Sequence, residues 1–175
     1  MRLRNQAFVL VAALVAGLGA ASAGYADGDA DFARKVARDG QLEIELGNYA
    51  AAHAANAEVK RFGRMMVDDH SQVNKELQDI ARQKGIQVDS KLTPEQREQA
   101  TKLMNLKGAD FDRAYVNAMV EGHEKAVEAF GKQADQNRSD LDRWAAGTLP
   151  KLRDHLAHAR ELQQKENRAD VSRNP

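Results

Sequence analysis

Apolar residues recur every three or four positions along most of this chain, the spacing that places them on one face of an α-helix. Four long segments have this pattern, over about residues 29–55, 57–84, 109–136 and 139–165. No segment alternates apolar and polar residues as a strand would. The sequence therefore predicts an all-α fold, a four-helix bundle with ferritin-like topology.

Local signals set the ends of these helices. Asn56 is a predicted N-cap for the second helix, and Gly85 a predicted stop after it. The segment 93–96, Thr-Pro-Glu-Gln, is a capping box with proline at the first helical position, so we expect a short extra helix ending near Leu106. This connection between the second and third long helices is long enough to cross the bundle.

The fourth long helix has its own signals. Asn137 should end the third helix, and Ser139 with Asp142 should cap the fourth. Gly147 and Pro150 are expected to kink or divide the fourth helix. The polar residues 166–175 are expected to form a frayed tail, so the bundle domain is predicted to span residues 27–165.

The N-terminus has the pattern of a secretory signal peptide. Arg2 and Arg4 precede an apolar run over residues 7–21, and small residues then offer a cleavage site after Ala23 or Ala26. The run is too short and too rich in Gly and Ala for a permanent membrane span. We therefore expect residues 1–26 to be removed, leaving an exported, periplasmic protein without an integral membrane span.

Composition narrows the classes of function. Residues 1–26 carry two Arg and no acidic residue, so the rest of the chain holds 24 basic and 26 acidic residues, a net charge of −2. That charge argues against a nucleic-acid partner. The chain has no cysteine, which excludes disulfides and thiolate metal sites. Phosphate-binding loops and nucleophile elbows are also absent from the sequence.

Two histidines occupy the same place in two similar segments. His70 ends Met-Val-Asp-Asp-His and His123 ends Met-Val-Glu-Gly-His, 53 residues later. Both lie in predicted apolar stripes, where an imidazole needs a partner. Four polar residues lie close to the midpoints of the four predicted helices: Glu43, His70, His123 and His155. Each is within about two residues of its helix midpoint, or roughly 3 Å of axial rise. One carboxylate and three imidazoles are therefore predicted to meet in one central layer.

This set is a plausible site for one transition-metal ion, with zinc, copper and iron all compatible with imidazole ligands. The residues three positions before the histidines are Val67, Val120 and Leu152, so a di-iron centre built on Glu-x-x-His is not expected. Glu45 competes with Glu43 as the inward acid. A buried polar network without metal, with Glu43 paired to a histidine, is the alternative.

Other polar residues have weaker assignments. Three acidic residues adjoin the histidines in sequence, and each is a candidate to accept a hydrogen bond from a metal-binding histidine of a neighbouring helix. They are Asp69, Glu124 and Asp154. His53 is expected at the solvent edge of the bundle's end. His158, one turn after His155, is expected to be exposed rather than a second ligand on that face. The scattered methionines are expected to serve core packing rather than copper(I) binding.

Ordered short motifs give the chain a resemblance to a known family. They are Gln41–Gly47 (QLEIELG), Met66–His70 (MVDDH), Met119–Val127 (MVEGHEKAV) and Leu149–His155 (LPKLRDH). From about Asp31 to Leu162 the chain resembles the bacterial family called domain of unknown function 4142. The resemblance implies an exported protein with a ferritin-like bundle, and supplies no activity.

The resemblance also bears on single residues. Glu43, His70, His123 and His155 match positions that recur in the family pattern. Gly122 departs from it, because an acid before the histidine is commoner.

The leading interpretation is an exported metal-binding protein that buffers or stores a transition ion or protects the envelope under stress. The first alternative is a structural or protein-interaction bundle whose histidines form a metal-free network. The second is a mononuclear metalloenzyme, which requires an open coordination position and a cleft.

Overall fold

The computed structural model describes the backbone of residues 19–173 and the side chains of residues 27–169. Over this range the chain forms five α-helices and no strand. They are α1 (Gly19–His53), α2 (Ala57–Gln83), α3 (Pro94–Asn105), α4 (Gly108–Ala134) and α5 (Asp140–Arg173). The prediction of an all-α helical bundle is confirmed, while its ferritin-like topology stays a prediction.

The long helices pack as two antiparallel hairpins. α1 lies against α2 and α4 against α5 over their lengths, whereas α1 and α4 have fewer contacts with each other. The short helix α3 contacts both α1 and α4. The core between the hairpins contains large buried side chains, including Phe62 and Met66 of α2 and Phe111 and Tyr115 of α4. The hairpins therefore meet across a shared apolar core, with α3 beside the boundary between α1 and α4.

The predicted helix ends largely match the observed ones. The Asn56 side chain accepts a hydrogen bond from the Glu58 amide, and Thr93 and Gln96 form the predicted capping box. Gly85 and Asn137 have φ values of 69° and 46°, in the left-handed region that ends a helix. Capping chemistry is local, which explains why the sequence predicts these ends well.

Helix α1 differs from its prediction in the face that it buries. The apolar spacing predicts an inward stripe, of which only Leu46 and Ala50 are buried: Phe32, Val36, Asp39, Glu43, Leu46, Ala50 and His53. The most buried face carries mainly small residues: Ala33, Ala37, Gly40, Gly47, Ala50 and Ala54. A Cβ at Gly47 would lie 2.8 Å from the Gly63 carbonyl oxygen of α2. Glycine therefore permits a close approach of the two backbones.

Helix α5 differs from its prediction at two places. It is not divided at Pro150, which lies inside one continuous helix. Packing of the buried Leu152 and a bond from the Thr148 hydroxyl to the Trp144 carbonyl support this segment. The helix also continues past Lys165, because the Glu166 carboxylate is buried and accepts a hydrogen bond of 2.6 Å from the Asn56 side chain. Residue 166 thus belongs to the bundle rather than to a frayed tail.

The predicted signal peptide is largely outside the described part of the chain. Residues 1–18 are not described, and residues 19–26, which contain both candidate cleavage sites, belong to the backbone of α1. Among the helices described within residues 19–173, none is long and apolar enough to cross a membrane. Cleavage and export stay predictions.

Candidate metal centre

Three histidines from three helices converge in the interior of the bundle. His70 of α2, His123 of α4 and His155 of α5 are all buried, with ring centroids 5.3 to 5.5 Å apart. One ring nitrogen of each histidine lies within 4.8 Å of one ring nitrogen of each of the others. The predicted central layer is therefore present, and the helix periodicity placed all three histidines in it.

Each histidine uses one ring nitrogen on a protein acceptor. Nδ1 of His70 lies 3.0 Å from Oε2 of Glu43, and Nε2 of His155 lies 2.9 Å from Oδ2 of Asp69. Nδ1 of His123 donates to the Met119 carbonyl at 2.9 Å. A metal-bound histidine almost always presents its second nitrogen to a carboxylate or carbonyl in this way.

The other nitrogen of each ring has no such partner. Nε2 of His70, Nε2 of His123 and Nδ1 of His155 are buried and lack a hydrogen-bond partner within the described residues. An unpaired buried polar atom destabilises a fold by roughly 1–3 kcal/mol. Three of them in one layer are the atoms that a shared ion would satisfy.

Glu43 lies in the predicted layer beside the histidines, but it is not among the closely spaced donor atoms. Its oxygens lie 3.0 Å from Nδ1 of His70 and 3.6 Å from Nδ1 of His123. It does not join the group of closely spaced donor atoms, which contains the three histidines alone. Glu43 is thus placed to orient His70 rather than to complete a four-ligand set. Glu45, the competing acid, is exposed and accepts a bond from Gln41.

The pKa values of the ionisable groups in this layer are shifted by burial and by the close contacts between Glu43, Asp69 and the histidines. Burial alone raises the pKa of Glu43, but the charges on His70 and His123 outweigh it and lower the pKa to about 2. Burial opposes charging of His70, yet the Glu43 carboxylate raises its pKa above the ordinary value. Burial lowers the pKa of His155 to about 4, although the hydrogen bond that His155 donates to Asp69 opposes this shift. The metal-free layer thus favours a charged Glu43–His70 pair and a neutral His155.

Of the three acids predicted to accept hydrogen bonds from the site histidines, only Asp69 contacts one, and it is the histidine of a neighbouring helix, as expected. The prediction is wrong for Glu124 and Asp154, because both lie on the exposed surface. Glu124 accepts a hydrogen bond from Arg160 at 2.7 Å, and within the described residues no hydrogen bond joins Asp154 to a site histidine. Adjacent helical residues point about 100° apart, and the rotation of the helix decides which neighbour reaches inward.

Two further residues belong to the surroundings of the site. Nζ of Lys151 donates to Oδ1 of Asp69, which leaves Oδ2 of that carboxylate for His155. Lys151 lies four residues before His155, a spacing that places both side chains on the same face of α5. This spacing is the sequence signal that could have identified Lys151. The buried hydroxyl of Tyr115 has no hydrogen-bond partner in the described part of the chain, and burial, with the nearby Glu43 charge, raises its pKa.

The remaining histidines lie outside the layer. His53 is exposed at the end of α1, where it stacks on Tyr49 with ring centroids 4.1 Å apart. His158 was predicted to be exposed but is half-buried, because its ring packs against that of Phe62. Neither belongs to the group of donor atoms.

Comparison with known families gives one match. The family model described as "Domain of unknown function (DUF4142)" matches residues 16–162. The chain belongs to the DUF4142 family. No curated protein and no solved structure matches the chain significantly. Membership covers the whole histidine layer and leaves its chemistry to be argued from the geometry.

Proposed function

We propose that this DUF4142 protein binds one transition-metal ion at His70, His123 and His155. The observation that carries the proposal is the set of three buried ring nitrogens without hydrogen-bond partners in one layer. Imidazole nitrogens are ligands for zinc, copper and iron alike. Such an ion would supply the missing partner of all three nitrogens at once.

The surroundings of the histidines support the same assignment. Glu43, Asp69 and the Met119 carbonyl each engage the second nitrogen of one ring, which fixes its orientation. Bonds between zinc and histidine nitrogen are 2.0–2.1 Å long, so bound donors would lie about 3–4 Å apart. Since the donors here lie within 4.8 Å of one another, small side-chain movements would complete the coordination.

We further propose that the protein is a ferritin-like bundle that is exported to the periplasm. There it would buffer or store the ion, or protect the envelope under stress. Support for export comes from the basic start, short apolar run and small-residue cleavage sites of residues 1–26. N-terminal sequencing of the protein from its native host tests it, with Gly24 or Asp27 expected as the first residue. Recovery of Met1 would contradict export by cleavage.

A second candidate, a mononuclear metalloenzyme, is favoured by one specific observation. The donor group contains three histidines and excludes Glu43, so a four-coordinate ion would keep one position open. Three histidines with an open position are the ligand set of some zinc enzymes, in which the ion lowers the pKa of a bound water. Glu43, oriented by His70, would lie beside such a site as a candidate proton acceptor.

Metal-dependent stability tests the proposal. Melting curves should be recorded with chelator and then with zinc, copper(II) or iron(II). A ligand that binds only the folded state adds roughly 2.7 kcal/mol at 100 times its dissociation constant. His70→Ala should abolish the shift, while His53→Ala, which changes an exposed histidine, should leave it intact. If no ion shifts the wild-type midpoint, the metal-free network with its Glu43–His70 pair becomes the better account.

A further inference from the structure

A cavity of about 440 Å³ adjoins one side of the histidine layer, lined by residues of α1, α2, α3, α4 and α5. This volume lies within the roughly 300–1,000 Å³ of pockets that hold small molecules. Most of its wall is apolar, with Leu42, Leu46, Val73, Leu103 and Phe130 among the lining residues. The cavity is therefore suited to a mainly apolar occupant.

Two side chains with acceptor atoms line this cavity, Glu43 and Asn74. Oε1 of Glu43 is 3.6 Å from Nδ1 of His123, which already donates to the Met119 carbonyl. Oδ1 of Asn74 has no hydrogen-bond partner within the described residues, but it is buried against Gly40 of α1 and is not open to an occupant. The acceptor that an occupant with a donor group would meet is therefore Oε1 of Glu43.

Charged residues at the cavity's edge already have partners. Asp39 pairs with Lys35 and accepts a hydrogen bond from Gln96 at 2.9 Å. Lys125 pairs with Glu121 at 2.5 Å. Because both lysines are paired and the inner charge belongs to Glu43, an anionic head group would be repelled rather than held.

Gly122 keeps the cavity open beside Glu43. A Cβ at this position would lie 3.5 Å from Oε1 of Glu43, so a larger side chain would fill the space next to that oxygen.

We propose that the cavity binds a small, mainly apolar molecule with one hydrogen-bond donor, which donates to Oε1 of Glu43. The apolar walls would hold the body of the molecule, while the donor group would meet Glu43. The proposal goes beyond metal binding and does not depend on it, because Glu43 and the apolar wall lie outside the group of metal-donor atoms, although His70 of that group also lines the cavity.

Calorimetric titration of the metal-free full chain with three eight-carbon probes tests the proposal. 1-Octanol carries a donor, dibutyl ether carries none, and octanoate is an anion. Octanol should bind roughly tenfold or more tightly than the ether, because a hydrogen bond to a charged acceptor is lost in the ether. Octanoate should not bind. Trp144, the one tryptophan of the chain, offers a second readout because its ring lies 5.5 Å from Phe130 in the cavity wall.

Matched variants locate the binding. Gly122→Leu should abolish octanol binding by filling the cavity, and Ala129→Leu in the same wall gives a second block if the first variant fails to fold. Gly131→Leu, in the same helix with open space around its Cβ, is the control and should bind normally. Equal affinity for octanol and ether, absence of octanol binding, or unchanged binding by both filled variants would each overturn the proposal. None of these outcomes predicts a change in the metal-dependent melting of the wild type. Failure of this proposal can therefore be distinguished from failure of the metal-binding proposal.

Discussion

Two sets of buried polar residues, one at the ends of the bundle and one in its central layer, differ in how completely their atoms are hydrogen-bonded. At the two ends of the bundle, Asp112 and Asp142 are each 1% exposed. Asp112 accepts hydrogen bonds from the amides of Ala55 and Asn56, and Asp142 from those of Arg138 and Ser139. Each aspartate thus holds the loop of one helical hairpin through backbone donors that would otherwise be unpaired.

The central layer differs from the ends because its polar groups are only half satisfied. His70, His123 and His155 each have one ring nitrogen with a partner and one without. The aspartates at the ends therefore need nothing from outside the chain, whereas the histidines require an additional ligand to pair all their buried atoms. This contrast supports the proposal that the histidines bind a metal ion, whereas the aspartates stabilise the fold.

The largest expected effect is a loss of stability when an aspartate at one end of the bundle is replaced. Asp112→Ala removes the charged acceptor of two part-buried amide groups in the α1–α2 loop, and a hydrogen bond to a charged group contributes about 1.5–3 kcal/mol. We expect the free energy of unfolding to fall by about 3 kcal/mol, equally with and without added metal. Urea denaturation measures it, with Asp110→Ala at an exposed position of the same helix turn as control. A loss that metal restores would assign Asp112 to the functional layer instead.

Helix periodicity was sufficient to predict the central layer. His70, His123 and His155 lie near the midpoints of their helices, and side-by-side packing of helices of similar length brings midpoints to one level. Periodicity was not sufficient for the finer geometry. The position of Glu43, and the exposure of Glu124 and Asp154, depend on the rotation of each helix about its axis.

The small-residue face of α1 was missed for a related reason. A hydrophobic pattern gives most weight to large apolar residues, but the close contact of Gly47 with Gly63 depends on the absence of side chains. Glu166 was assigned to a polar tail because its partner, Asn56, is 110 positions away in sequence. Such long-range polar contacts leave no local signal in the sequence.

The second prediction concerns the pH dependence of the metal-free layer. The pKa of His155 is lowered to about 4 in the folded protein, from 6.5 in the unfolded chain. As pH falls below 6.5 the unfolded chain binds this proton and the folded protein does not, so stability falls until pH passes the folded value. The raised pKa of His70 acts oppositely, with stability present below 6.5 and lost as pH rises through the folded value.

His155→Leu isolates the first of these contributions. Between pH 7 and pH 5, the wild type should lose about 2 kcal/mol that the variant keeps, since each pKa unit corresponds to about 1.4 kcal/mol. Urea denaturation in the presence of chelator measures the difference, and His53→Leu at the exposed end of α1 serves as control. Parallel pH profiles of the wild type and His155→Leu would show that His155 titrates normally in the fold.

The smallest expected effect distinguishes Asp69 from the two exposed acids. Asp69 fixes the ring of His155 by a hydrogen bond to its Nε2 and is itself held by Lys151. Removing such an outer-shell carboxylate typically weakens metal binding 10–100-fold, so Asp69→Asn should lower the affinity by at least tenfold, about 1.4 kcal/mol. Asp154→Asn and Glu124→Gln change acids that also adjoin site histidines in sequence but lie on the surface. They should leave the affinity unchanged in calorimetric titration, and a loss equal to that of Asp69→Asn would mean that general surface charge, rather than orientation of His155, controls binding.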